Sequence, residues 1–337
     1  MKTSAYFMLK LATMGFLGAM WIVSVSGCSA ISAKGPLSEP IFFAKQEEAI
    51  LDPSVSSLGA MAAPIPTNRE DYSRDIPPLT ENFDLTRLTG PELKAKMQAG
   101  FTTVIIPTGG VEQNGPYLPL NKHNQVVQFS AQHMAARLGY TLVAPLISVV
   151  PEGDMDHPTG ARWMSGTLGV REETFRRLLI DLIQSLVENG FSRLCLLGDH
   201  GQSQKIQQSV AEDLNRAWVK AGVNARILQV SRYYDPDGEQ QLLTQLGIPL
   251  QAQGDHAGVA DTAEFMAVNA LEFRSKVLSL NAQKNAVSEG ASGQPDRANV
   301  KMGQMLMSMR MDKALRQIRE WQKKETPENQ TNDPSPP

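Results

Sequence analysis

Apolar runs and amphipathic stretches alternate through the middle of the chain. "TTVIIP" (102–107) is apolar nearly throughout and too short for a helix, which predicts a buried strand. "NQVVQFSAQHMAARLG" (124–139) carries helical periodicity and closes on Gly139. The alternation continues with a strand over "TLVAPLISVV" (141–150), a long amphipathic helix over 170–190 ending in Asn-Gly, and a strand over "SRLCLLG" (192–198). A helix over 202–222 and a strand over 224–231 follow, and "DTAEFMAVNALEF" and "MGQMLMSMRMDKALRQIREWQKK" add further helices. Such alternation predicts an α/β fold with a largely parallel sheet covered by helices on both faces. Ligands of parallel sheets gather beyond the carboxyl ends of the strands, so the loops after "TTVIIP" and "RLCLLG" are where chemistry is expected.

The flanks read differently. Lys2 and Lys10 precede an apolar run from Leu11 to Val25 that is too short and one-sided for a membrane span, so residues 1–27 are read as a signal peptide. Val25-Ser26-Gly27-Cys28 resembles a bacterial lipoprotein processing box, which implies cleavage before Cys28 and lipidation of that cysteine. Ser29, in place of an acid, implies the outer membrane of a Gram-negative envelope, with the protein facing the periplasm. Residues 28–83 read as the lipidated cysteine and a tether, 84–324 as the folded domain, and 325–337 as a disordered, Pro-rich tail. The other cysteine, Cys195, lies in "RLCLL" and reads as a small buried hydrophobe. A net charge of −3 without a long basic run excludes nucleic acid as an expected partner.

The chain has five histidines. His133 falls within a predicted helix, where an ordinary helical role is expected. His123, His157, His200 and His256 fall in segments rich in Gly, Pro and Asp. Glu112 follows the first strand, His200 follows "RLCLLG", and Asp255, His256 and Asp261 share "GDHAGVADTAEF". Histidines and acids at two strand ends supply the nitrogen and oxygen donors that a catalytic zinc takes, with one position left for water. The methionines between Met302 and Met311 follow helical spacing and read as a packing stripe, and "DPDG" (235–238) reads as a turn.

Four segments, in order, carry a resemblance. "PTGGVEQNGPYLPLNKHN" looks like the creatininase (creatinine amidohydrolase) motif Pro-x-Gly-Ser-x-Glu-Gln-His-Gly-Pro-His-Leu-Pro-Leu-x-x-Asp. "MSGTLG" (164–169) resembles its Pro-Gly-Thr segment, "GFSRLCLLGDHGQS" its Asn-Gly-His-Gly-Gly-Asn segment, and "DHAGVADTAEFM" its His-Ala-Gly-x-x-Glu-Thr-Ser segment. The resemblance implies a three-layer α/β/α sandwich, a homo-oligomer, and metal-dependent hydrolysis of a cyclic amide or related C–N bond in a small molecule.

The departures from that motif fall on its metal positions. Members of the family commonly hold two metals. Glu112 and His200 keep the family's residue types, whereas Asn114 stands for its His, His123 for its bridging Asp, Asp261 for its third-motif Glu, and Gln202 where some members place a Glu. A carboxylate bridges two cations but one imidazole nitrogen binds one, so the changes imply a single divalent metal, zinc or manganese, on Glu112, His123 and His200, with Asp261 as a further ligand. His256 and Asp261 are the candidate acid and base. His157, Trp163, Asn114 and Gln202 are candidate contacts for the substrate. The competing expectations are an inactive binding or scaffold lipoprotein on the same fold, or a metal-binding protein without hydrolysis.

Overall fold

The structure, a computed structural model, describes residues 75–281 and 290–325. The signal segment, Cys28 and most of the tether and tail lie outside the described residues. Four strands, β1 (Thr103–Thr108), β2 (Thr141–Val143), β3 (Arg193–Gly198) and β4 (Arg226–Gln229), form one sheet in the order β2-β1-β3-β4, and every pairing is parallel. The helices are α1 (Gly90–Gln98), α2 (Lys122–Leu138), α3 (Glu172–Glu188), α4 (Gly201–Ala221), α5 (Pro236–Gln245), α6 (Leu250–Gln253), α7 (Val259–Asn269), α8 (Ser275–Asn281) and α9 (Val300–Glu325).

The three layers follow from the alternation of side chains along each strand. Val104 and Ile106 of β1, with Leu194 and Leu196 of β3, pack against Phe175, Leu179 and Ile183 of α3 and Val210 and Leu214 of α4. Ile105, Cys195 and Leu197 point the other way, against Val126, Val127 and Met134 of α2 and Met307, Met311 and Leu315 of α9. Both faces of the sheet are therefore buried, which is why the strands read as apolar runs. Cys195 and the methionine stripe take the packing roles their sequence context predicts.

Three expectations give way. The strand expected over 141–150 stops at Val143, because Pro145 has no N–H to donate; pairing survives only as single links, such as Ile147 N–H to the carbonyl of Pro107 at 3.0 Å. "DPDG" is more than a turn: the Asp235 side chain accepts from Gly238 N–H, Pro236 takes the first helical position, and α5 begins there. The folded part also starts before residue 84. Phe83 is buried, its N–H donates to Gln132 Oε1 at 2.9 Å, and its carbonyl accepts from Val143.

The topology singles out one crevice. The chain leaves β1 toward β2 on one side and reaches β3 on the other, so the strand order reverses between β1 and β3. The loops that leave the carboxyl ends of these two strands part there and leave room for a ligand.

Candidate metal centre

Glu112 lies four residues beyond β1, and His200 is the N-cap of α4, two residues beyond β3. The loop after β1 doubles back: Glu112 N–H donates to the carbonyl of Leu120 at 3.0 Å, and the chain enters α2 directly afterwards. His123 is thereby the second residue of α2, a helical residue where a loop residue was expected, and its ring returns over Glu112. The close approach requires glycine. A Cβ on Gly109 would lie 2.8 Å from the Asn124 Cα, and Gly110 N–H donates to Asn124 Oδ1 at 3.1 Å.

One oxygen or nitrogen from each of Glu112, His123 and His200 lies within 4.8 Å of the others, the only such metal-capable group among the described residues. All three are buried. His123 Nε2 is 2.7 Å from Glu112 Oε1, and His200 Nε2 is 3.5 Å from Glu112 Oε2. Tetrahedral zinc with bonds of about 2.1 Å needs donors roughly 3.3 Å apart, so small shifts of these side chains accommodate the ion. His200 Nδ1 and Glu152 Oε1 are buried without a hydrogen-bond partner, as expected of a polar site that an ion completes.

Electrostatics support the same reading. Burial opposes the charge on Glu112, but hydrogen bonds from His123 and His200 outweigh it and hold its carboxyl well below the usual range. Burial likewise opposes protonation of His200, yet Glu112 and Glu152 push it up to about 9. His123 is raised as well: its hydrogen bonds to Asp199 and Glu112 overcome burial and the charge of Lys122. Two imidazoles that retain protons only because carboxylates face them are ready to exchange those protons for a metal.

Behind this group stands a ring of residues that sequence reasoning missed. Asp199 Oδ2 lies 2.9 Å from His123 Nδ1, and its other oxygen accepts from Arg310. Asp199 is held ionised by Arg310 and His123 against the cost of its burial, so it only accepts. His123 therefore carries a proton on Nδ1 and aims Nε2 at Glu112, the carboxylate–histidine arrangement that orients metal ligands. Glu152 Oε2 is 2.9 Å from His200 Nε2, and burial raises its pKa. Arg310 also donates to Glu264 Oε2 at 2.6 Å and stacks on the Tyr233 ring at 4.2 Å.

The remaining expected residues separate. His256 Nε2 lies 2.7 Å from the Gln113 carbonyl, which can only accept, so Nε2 donates there, and Nδ1 faces Glu112 Oε1 at 3.8 Å. Its loop turns on Ala257, held at φ +46°. Asp261 does not join the metal-capable group; its Oδ1 accepts from Lys122 Nζ at 2.6 Å. Asn114 is buried and braces the loop through Nδ2 to the Glu112 carbonyl at 2.9 Å. Gln202 lines the cavity, with Oε1 accepting from Gly153 N–H. His157, its side chain 92% exposed, and Trp163, 73% exposed, stand on the surface outside the cavity lining. The cavity, about 620 Å³, opens from Glu112, His123 and His200 toward Tyr234, Glu239 and His256.

Comparison with known proteins agrees with this architecture. The family model for creatininase, described as creatinine amidohydrolase, matches residues 86–318. Creatinine amidohydrolase of Pseudomonas putida is 24% identical over 193 residues, covering 56% of this chain and 73% of that protein. The 3-dehydro-scyllo-inosose hydrolase of Thermotoga maritima is 31% identical over 99 residues, so the chain spans only 30% of that relative. A solved creatinine amidohydrolase (creatininase) shares the fold with a TM-score of 0.58 at 19% identity, over 72% of this chain and 98% of the other. A creatininase described with Mn matches with a TM-score of 0.58 at 20% identity, over 72% and 99%. A family match through most of the chain, four motifs in order and a shared three-layer fold give one conclusion: the chain belongs to the creatininase family of amidohydrolases.

Proposed function

We propose that the protein hydrolyses the C–N bond of a small cyclic or linear amide, using one divalent metal ion held by Glu112, His123 and His200. The observation that carries this reading is the buried Glu112–His123–His200 group opening onto the cavity at the switch point. Two imidazoles and a carboxylate with a position left for water form a catalytic zinc set; zinc is the expected ion and manganese the alternative. Solved creatininases are described as Zn-Zn type and with Mn. Bound there, the ion would lower the pKa of water to about 7 and polarise the amide carbonyl.

The chain's own residues supply the rest. Asp199 keeps His123 in the tautomer that presents Nε2. His256 donates from Nε2 to the Gln113 carbonyl and turns Nδ1 toward Glu112, where Nδ1 could take a proton from the attacking water and return it to the leaving nitrogen. Asp261, clamped by Lys122, suits a fixed charge better than a moving proton, so the acid–base role falls to His256. The cavity wall is acid-rich, with Glu172, Asp199, Asp255 and Asp261 against Lys205 and Arg310, which favours a neutral or cationic amide over an anionic one. A related creatininase mutant is described in complex with creatine, which supports a substrate of similar size. The retained donors and the orienting Asp199 weigh against an abandoned scaffold.

Protein beginning at Ser29 and purified without a metal-affinity tag should carry about one zinc per chain by mass spectrometry. It should turn over a member of a panel of creatinine, lactams and formamides, and His123→Ala should lose metal and turnover together. A wild type that stays metal-free after reconstitution sinks the proposal. The same reading anchors the chain to the outer membrane through Cys28, on the periplasmic side, as a homo-oligomer. Cys28→Ala should move it to the soluble fraction, and light scattering on that variant reads the oligomeric state.

A further inference from the structure

The buried donors of the crevice are engaged by the chain itself. Arg310 gives its N–H groups to Asp199, Glu264 and the Tyr233 carbonyl, and His256 donates from Nε2 to the Gln113 carbonyl. Tyr234 differs. It stands in the loop between β4 and α5 and lines the same cavity as Glu112, His123 and His200, and its hydroxyl makes no hydrogen bond with any of the described residues. A Cβ on Gly201 would lie 2.9 Å from Tyr234 Oη, so the phenol rests against the first residue of α4, next to His200, and glycine makes room for it. The backbone on either side is held. Tyr233 is fully buried, donates from its hydroxyl to Ser130 Oγ at 2.9 Å and accepts from Arg310 Nε at 3.2 Å through its carbonyl, and Asp235 caps α5.

We propose that Tyr234 is a catalytic residue of the amide hydrolysis: its hydroxyl donates to the carbonyl oxygen of the substrate and stabilises the negative charge that develops there. This inference rests on the hydrolytic reading above and names a donor for the same site. As the water oxygen adds to the carbonyl carbon, the C=O π pair moves onto the carbonyl oxygen, and Tyr234 keeps its proton while sharing it in a hydrogen bond. When the C–N bond breaks, that pair re-forms the C=O bond and the leaving nitrogen takes the proton that the water gave up. Burial, then the nearby carboxylates of Asp261 and Asp199, push the phenol up to about 12, so it is a donor at neutral pH. The first N–H groups of α4 have no intrahelical partner and give that end of the helix a partial positive charge, which favours an oxyanion beside Gly201 as well.

Tyr234→Phe removes one oxygen that bonds to no group among the described residues, so its urea unfolding midpoint and its zinc per chain should match wild type. On the panel of creatinine, lactams and formamides, kcat for the amide that wild type hydrolyses should fall about 100-fold or more, with KM within about threefold. A second readout needs no turnover. In crystals of the zinc-loaded wild type soaked with acetohydroxamic acid, a neutral amide analogue, Tyr234 Oη should lie about 2.7–3.1 Å from the carbonyl oxygen of the probe. An unchanged kcat in Tyr234→Phe, a fall in kcat that comes with lost zinc or lost stability, or a probe that is absent from the cavity or bound away from Tyr234 Oη overturns the inference. A wild type without zinc, or with zinc and no turnover of any panel member, overturns the hydrolytic reading and this inference with it, so the two failures are distinguishable.

Discussion

The two halves of the crevice solve the same problem in opposite ways. On one side, Glu112 and Glu152 are buried against His123 and His200, whose protons are exchangeable, and two polar atoms, Glu152 Oε1 and His200 Nδ1, have no partner. On the other side, Asp199 and Glu264 are buried and Asp261 is partly buried, against Arg310, which is always charged, and Lys122, whose pKa Asp261 raises. A buried carboxylate is tolerated only when something compensates it. The second half compensates itself during folding, Asp199 and Asp261 against the two cations while burial pushes Glu264 up to about 8, whereas the first leaves compensation to be completed by an ion. A single pocket therefore contains a region that should dominate stability and a region that should dominate metal chemistry, and Asp199 touches both.

The largest effect should come from breaking the self-compensated half. Arg310→Leu leaves the ionised Asp199 buried without its cation, which should cost about 3–5 kcal/mol, read by urea unfolding of the metal-free protein. A loss below roughly 1 kcal/mol would show that Asp199 is neutral in the native state and that the comparison is drawn wrongly. Next in size is the shared residue. Asp199→Asn keeps the shape and removes the charge that orients His123, and should weaken zinc binding about 10–100-fold while the protein still folds. Unchanged affinity would mean that His123 is oriented by packing alone.

How much of this was legible follows the same division. The layers, the parallel sheet and the switch point are written in hydrophobic periodicity, because a strand buried on both faces has no other composition available to it. Glu112 and His200 were legible because each sits just past a predicted strand. His123 lies in the metal-capable group but in a helix, not a loop: "PLNKHN" looks like a loop, and only the return of the chain from Leu120 makes it a helix start. Glu152 hides after a strand that Pro145 cuts short, and Arg310 hides in a run whose methionines correctly read as packing. An arginine on the buried face of an apolar stripe is itself a signal, since a guanidinium is rarely buried unpaired. Lys122 carried a comparable signal only in retrospect, because its partner Asp261 is 139 residues away.

The comparison sharpens with pH. In the metal-free protein His200 is pushed up to about 9 and His123 is also raised above its ordinary value. Groups whose folded pKa exceeds the unfolded one, about 6.5 for histidine, stabilise fully below 6.5 and lose that contribution as pH rises toward 9. Metal uptake runs the other way, because the ion must displace the same protons, and affinity should climb up to about tenfold per pH unit for each proton released. Thermal stability of the metal-free form and zinc affinity, both followed from pH 6 to 9, should therefore move in opposite directions. Parallel trends would place the titrating protons elsewhere.

The smallest effect is expected where sequence reading reached too far. His157 is a candidate for the substrate pocket by sequence, but its side chain is 92% exposed and its acid contact, Asp154 Oδ1, is 4.0 Å away. An imidazole in water at that distance gains little from the pair. His157→Ala should leave unfolding free energy within about 0.5 kcal/mol of wild type and leave zinc stoichiometry unchanged. The backbone N–H of His157 donates to Asp154 at 2.7 Å, and that bond survives in the alanine variant, so the turn should hold. Turnover is the more demanding readout. A fall in kcat/KM beyond about threefold with metal retained would require the 154–157 turn to close over the cavity during the reaction, and would move His157 back into the site.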